Sequence, residues 1–201
     1  MWCVDLDGVL RHWPDRSPSI ESLHGLPEGA IGQAAFEPSL VARAITGSIP
    51  DPQWRSLAAR SLQERYPMSS AAAAVELWSA EVGTVDEQVH QTLRAVNGQA
   101  RLVLCTNATS RLAADLDALG LSRLFAAVVN SSDIGVAKPE SGYFRRALAI
   151  ASATPEQVVF IDDSLANVRA ALNLGIRSLH FCGPASLRSF LSECELLGHA
   201  T

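Results

Sequence analysis

The sequence predicts an α/β fold: a parallel sheet covered by helices on both faces, with an α-helical cap inserted after strand one. Three observations carry this reading. The chain opens on an apolar run, Trp2-Cys3-Val4, that leads into Asp5-Leu6-Asp7-Gly8. Between Arg11 and Asn97 no stretch reads as a strand, and apolar residues recur at helical spacing. From Arg101 onward, short continuous apolar runs alternate with amphipathic stretches, as in strands buried on both faces and joined by helices.

Taken in order, the first strand ends at Gly8. Asp5 and Asp7 stand two residues apart, so on a strand their carboxylates share one side. There they repel unless a cation lies between them or one holds a proton. The same residues are also ordinary turn chemistry after a strand. Pro14, Pro18, Pro27 and Pro38 then break the chain into loops and short turns. Helices are predicted over 39–46, 52–66, 70–80 and 85–95. Asp51-Pro52 supplies a cap and a first-turn proline, and Trp54, Leu57, Ala58 and Leu62 repeat at helical spacing. Gly47-Ser48-Ile49 reads as a turn. Residues 12–97 are too many for a loop and are read as the inserted cap. Residues 1–11 and 98–201 make the catalytic core.

The second half is regular. A buried strand over 102–105 precedes a helix capped by Thr109 or Ser110, carrying Leu112, Leu116 and Leu119 and closed by Gly120. A strand over 125–129 follows. Pro139 opens a helix with Phe144, Leu148 and Ala151 on one face. After a strand over 158–161, Ser164 caps a helix with Val168 and Leu172, closed by Gly175. A strand over 178–181 and a last helix with Leu187, Leu191 and Cys194 complete the chain. Ligands of such sheets bind beyond the carboxyl ends of the strands, near the point where strand order reverses. The residues there are Asp5 and Asp7, Thr106 and Asn107, Asn130 with the loop to Lys138, and Asp162 and Asp163.

The 201 residues carry a formal net charge of −5, which leaves no electrostatic footprint for nucleic acid. No basic leader or long apolar span opens the chain, so neither a signal peptide nor a membrane partner is expected, and the setting is read as cytoplasmic. The four cysteines lack metal-ligand spacing and read as reduced, packed side chains. The four tryptophans read as core, His180 as a packed histidine, and Arg145-Arg146 as a solvated helix face. Of 16 Lys and Arg residues only Lys138 is lysine, which points to a place that needs a compact charge on a flexible stem. Oligomeric state is not legible.

Aspartates from two strand ends make a hard-oxygen cluster suited to magnesium, which takes one or two carboxylates with water and phosphate. Thr106 and the amides after it can hold phosphate oxygens at a helix N-terminus. Lys138 adds a point charge. Position and charge neutralisation are what phosphoryl transfer requires.

Four motifs stand in order: Asp5-Leu6-Asp7-Gly8-Val9-Leu10, Leu104-Cys105-Thr106-Asn107, Gly135-Val136-Ala137-Lys138-Pro139-Glu140, and Phe160-Ile161-Asp162-Asp163-Ser164 with Asn167. With them the chain resembles the haloacid dehalogenase-like hydrolases, in the phosphatase branch whose helical cap follows strand one of a Rossmann-like core. The resemblance implies Asp5 as the nucleophile that forms an aspartyl-phosphate, and Asp7 as general acid/base with a backbone carbonyl on Mg2+. It implies Thr106 and Lys138 as phosphate holders with help from the Leu6 and Asn107 amides. Asp163 becomes the direct metal ligand and Asp162 a second one, reached through water. The dehalogenase branch lacks the acid at the position of Asp7, since a carbon–halogen bond needs no proton on its leaving group. The implied activity is therefore hydrolysis of a small phosphorylated metabolite such as a sugar phosphate. A phosphomutase and a catalytically silent binding protein are the alternatives. In this family the cap sets substrate choice, so Arg11, His12 and Trp13 become candidate substrate contacts. The cap composition shows no recognisable pocket.

Overall fold

The computed structural model describes residues 1–97 and 100–198. Strand β1 (Trp2–Val4) is followed by β2 (Arg11–His12), the helices α1 (Ser17–Leu23), α2 (Ala30–Ala35), α3 (Pro38–Ile45), α4 (Asp51–Arg65) and α5 (Ala71–Ser79), then β3 (Thr84–Val85) and α6 (Glu87–Asn97). The second half runs β4 (Leu102–Thr106), α7 (Leu112–Ala118), β5 (Ala127–Asn130), α8 (Ser131–Ile134), α9 (Ser141–Ala151), β6 (Val159–Asp162), α10 (Leu165–Leu172), β7 (Arg177–His180) and α11 (Pro184–Gly198).

Five strands form a parallel sheet in the order β5-β4-β1-β6-β7. Every residue of β1 and β4 is buried, which is why these strands read as unbroken apolar runs. Successive side chains point to opposite faces and feed two clusters. Val4, Leu102, Leu104 and Ile161 pack with Leu112, Leu116 and Leu187 on one face. Cys3, Val103, Cys105 and Phe160 pack with Tyr143, Phe144 and Ala147 on the other. The chain builds outward from β1 to β4 and β5, then crosses to β6 and β7 on the opposite side. The order thus reverses between β1 and β6, and the crevice beyond their carboxyl ends is the site such a sheet offers.

Helices α1 to α5 enclose an apolar cluster of their own, with Ile31, Trp54, Ala58 and Leu62 at its centre. Where no strand is predicted, β2 and β3 pair antiparallel, Arg11 opposite Val85 and His12 opposite Thr84. Two residues per strand are too few to show a period, so this ribbon leaves no sequence signal. The prolines expected to break the chain before residue 38 instead admit α1 and α2. Pro18 lies in the first turn of α1, where a missing N–H costs nothing. Helix α6 falls inside the expected 12–97 insert, yet its Val89 and Leu93 pack in the sheet cluster. Gly47 follows α3 with φ +71°, and a Cβ there would overlap the Ser132 carbonyl of α8. The close approach of these helices therefore needs glycine.

Cys3 and Cys105 are buried free thiols, whereas Cys182 is exposed and not packed as expected. The Cys194 side chain and His199 lie outside the described residues. Arg145 and Arg146 are exposed. Among the described residues no helix is long and apolar enough to cross a membrane.

Candidate active site

Asp5 follows β1 directly, and its N–H donates to Ile161 O at 2.9 Å, extending the ladder to β6 by one residue. Asp162 is the last residue of β6 and Asp163 the next. The β1–β6 pairing therefore gathers Asp5, Asp162 and Asp163, each offering an oxygen within 4.8 Å of the others. Lys138 reaches in from the loop between α8 and α9. Its ammonium lies 2.9 Å from Asp5 Oδ1 and 2.7 Å from Asp162 Oδ2, and donates to Cys105 O at 2.8 Å. These three acceptors match the three protons of the group. The single lysine of the chain is thus buried where the ends of β1, β4 and β6 meet.

Each member is held from behind. Asp162 is fully buried, and its Oδ1 accepts from Ser164 N at 2.8 Å and from Asn167 Nδ2 at 2.9 Å. Its Oδ2 is shared by Lys138 and Asn167. Asn107 clasps the Lys138 backbone, donating to its carbonyl at 2.9 Å and accepting from its N–H at 2.8 Å. Leu6 N donates to Asp5 Oδ1 at 2.8 Å. Thr106 is buried at the end of β4, in register with Asn130. Gly8 turns at φ +77°, and a Cβ there would overlap the Asp163 carboxylate.

Burial pushes the Asp5 carboxyl up to about 7; Lys138 pulls it down and Asp162 repels it upward. Burial works against the Lys138 ammonium, but Asp5 and Asp162 more than offset it and raise its pKa. Asp163 is raised by partial burial and by Asp162. This is a cluster of acids with more negative charge than one lysine balances.

Asp7 departs from the expected arrangement. Strand β1 ends at Val4, so Asp5 and Asp7 do not share a strand face, and the Asp7 carboxylate lies outside the three-acid cluster. It is gripped by Arg11, with Nε 2.7 Å from Oδ1 and Nη2 3.0 Å from Oδ2, and accepts from Trp13 Nε1 at 2.8 Å. Arg11 is itself buried and reaches Asp115 Oδ2 at 3.0 Å. Arg111 donates to Asp115 Oδ1 at 2.6 Å and to the Ser79 and Glu81 carbonyls. Asp115 and Arg111 were not singled out in the sequence; their only local mark is an i,i+4 spacing on α7.

Four further expectations are corrected. Helix α7 begins at Leu112, five residues beyond Asn107, so Thr106 does not abut its N-terminus. Thr109 and Ser110 do not cap it either. Thr109 Oγ1 donates to Asp51 Oδ2 at 2.7 Å and Ser110 Oγ accepts from Asp51 N at 3.0 Å, so both hydroxyls fasten α4 to the core loop. His180 is exposed rather than packed, with Nε2 2.9 Å from Asp163 O. Trp13 is 48% exposed and not core. A cavity of about 430 Å³ opens beside Asp7 and Asn107 and runs toward the helices of the insert.

The profile of the haloacid dehalogenase-like hydrolases matches residues 3–175. The chain belongs to this family. Relatives of the chain include the drimenol cyclase drtB of Aspergillus calidoustus, 43% identical over 58 residues, and a phosphoglycolate phosphatase of Caulobacter vibrioides, 36% identical over 78 residues. These matches cover 29% and 38% of this chain but only 11% and 33% of those proteins. Among solved structures, a haloacid dehalogenase family enzyme of Bacteroides thetaiotaomicron, in complex with magnesium and inorganic phosphate, superposes with TM-score 0.73 at 17% identity. The superposition covers 89% of this chain and 91% of that one, and the likeness is one of fold.

The residues present fit a divalent cation. Three carboxylates converge, all ligands are hard oxygens, and the acid raised to about 7 is the one a nearby cation would return to its ionised form.

Proposed function

We propose that the chain is a magnesium-dependent phosphatase that hydrolyses a small phosphorylated metabolite through an aspartyl-phosphate on Asp5. The observation that carries the reading is the setting of Asp5. Its Oδ1 is fixed by Leu6 N and Lys138, while Oδ2 has no partner among the described residues. One oxygen is therefore oriented and the other is left to attack phosphorus.

In the first step Oδ2 of Asp5 bonds to phosphorus as the ester P–O bond breaks, and Asp7 gives its proton to the leaving oxygen. In the second, Asp7 takes a proton from water as that water attacks phosphorus, which releases phosphate and restores the Asp5 carboxylate. The two-pronged Arg11 pair suits the basic form of Asp7, so the first step requires the carboxyl to loosen that grip. Thr106 and the amides of Leu6 and Asn107 hold phosphate oxygens, and Lys138 steadies Asp5. Magnesium would be held by Asp5, Asp163 and the Asp7 carbonyl, and would neutralise phosphate charge. Asp162, with both oxygens already bonded, would act at one remove. Helices α1 to α5 of the 12–97 segment serve as the cap that sets substrate choice, and the setting is cytoplasmic. An acid at position 7 favours phosphate esters over halides.

The test is phosphate release from an aryl phosphate with magnesium and then with a chelator. Turnover is expected with the metal, and both chelation and Asp5→Asn are expected to abolish it. Turnover that survives either treatment overturns the reading.

A further inference from the structure

The cavity beside Asp7 has a composition that narrows the substrate. On the insert side Phe36, Trp54 and Trp78 form a mutual aromatic cluster, with ring centroids 5.8 to 6.1 Å apart. Phe36 is 56% exposed although it touches both tryptophans, so its bare face is available to a ligand. Ile20, Val41 and Ile45 extend the apolar wall. The polar tip of Trp54 is already spent on Ala35 O at 2.7 Å, and that of Trp13 on Asp7.

The three arginines of the lining are each paired with its acids, while Asp15 has no ion pair among the described residues. Arg11 is held by Asp7 and Asp115, Arg16 lies 2.9 Å from Glu81, and Arg55 lies 2.5 Å from Asp51. Five carboxylates (Asp7, Asp15, Asp51, Glu81 and Asp115) face these three guanidiniums, so the wall is net negative. Such a wall repels a second anionic group on the substrate. Neutral polar partners are equally scarce. Asn107 is committed to the Lys138 backbone and Thr109 to Asp51, which leaves Ser17 for any array of sugar hydroxyls. At about 430 Å³ the cavity lies in the ~300–1,000 Å³ range that encloses a ligand of drug size.

We propose that this cavity takes the alcohol part of a phosphate monoester whose body is a bulky hydrocarbon or fused aromatic ring, and not a sugar or a second acid. The inference rests on the phosphatase reading above, because it places the leaving group on the Asp7 side of phosphorus. It differs from the sugar phosphate expected from the sequence, and the test below separates the two. Removal of apolar surface from water into a preformed site supplies the selectivity, at about fourfold per buried methylene.

The test compares kcat/KM of the magnesium-loaded protein for ethyl, hexyl and decyl phosphate and 1-naphthyl phosphate with that for glucose 6-phosphate and phosphoglycolate. Alongside it, quenching of tryptophan fluorescence by decylphosphonate reads occupancy without turnover. The expected result is a rise of about fourfold per methylene until the cavity fills, naphthyl phosphate above both polar substrates, and quenching by the phosphonate. Phe36→Ala, which touches none of the reacting groups, is expected to raise KM for decyl phosphate about tenfold more than for ethyl phosphate. Turnover with glucose 6-phosphate or phosphoglycolate equal to or above the apolar esters overturns the inference and leaves the phosphatase reading standing. Quenching with no turnover of any ester overturns the phosphatase reading and upholds the apolar character of the cavity. Neither turnover nor quenching overturns both.

Discussion

Arg11 grips Asp7 with two parallel bonds, Nε to Oδ1 at 2.7 Å and Nη2 to Oδ2 at 3.0 Å, while its remaining amine reaches Asp115. The guanidinium is almost fully buried while the Asp7 carboxylate is 39% exposed, so the pair is screened from one side only. Arg11→Met removes the cation from two carboxylates at once and is expected to cost about 3 kcal/mol. The measurement is the shift in urea midpoint at unchanged slope. A loss under about 1 kcal/mol would rank the pair with exposed ones.

Asp5 gives a pH signature in the metal-free protein. Its folded value, about 7, lies above the ~3.9 of an unfolded aspartate. The folded chain therefore holds this proton more tightly. Folding stability falls as pH rises through the interval between the two values, and the loss is complete above the folded one. Asp5→Asn has no proton to lose. With chelator present, its Tm relative to the parent is expected to be more favourable at pH 8 than at pH 5. A Tm difference flat across that range would show that Asp5 ionises as freely folded as unfolded.

Gly8 separates metal binding from folding. Its φ of +77° costs a side chain about 1–2 kcal/mol. The atoms a Cβ would meet belong to the Asp163 carboxylate, the movable end of a side chain. Gly8→Ala is expected to keep the fold, read by circular dichroism, while magnesium affinity falls at least about tenfold by titration calorimetry. Unchanged affinity would remove Asp163 from the ligand set.

Gly47 makes the opposite case, because the obstacle to its Cβ is the Ser132 backbone carbonyl. Gly120 has nearly the same φ, +70°, with nothing within 4 Å of an added Cβ. Gly120→Ala is expected to cost about 1 kcal/mol and Gly47→Ala at least about 2 kcal/mol more. The difference between the two, from denaturant melts, measures the seating of the end of α3 on α8. Equal costs would mean that the seating adds nothing.

The core strands and the acids at their tips were legible because β4, β5 and β6 are short apolar runs ending in a polar residue, as β6 shows in Phe160-Ile161-Asp162. What escaped was set by distance along the chain. Arg11 and Asp115 lie 104 residues apart in the chain, and nothing in the sequence marks them as a pair until the fold brings them together. Phe36, Trp54 and Trp78 come from three separate elements, so the aromatic wall has no linear pattern. Asp7 was misplaced because alternation along a strand was extended past Val4, where β1 has already ended.

The ribbon of β2 and β3 ties the outgoing and returning chain together, His12 beside Thr84. The chain leaves and re-enters the core for residues 13 to 83 at this one two-ply stem, and side-chain ties from Thr109, Ser110 and Arg111 hold the segment in place. An exchange of that segment for another helical unit cut at the same rung would leave all five strands of the sheet in their order. Under the proposed function, selectivity in this architecture is a transplantable part, separable from the acids assigned to the chemistry.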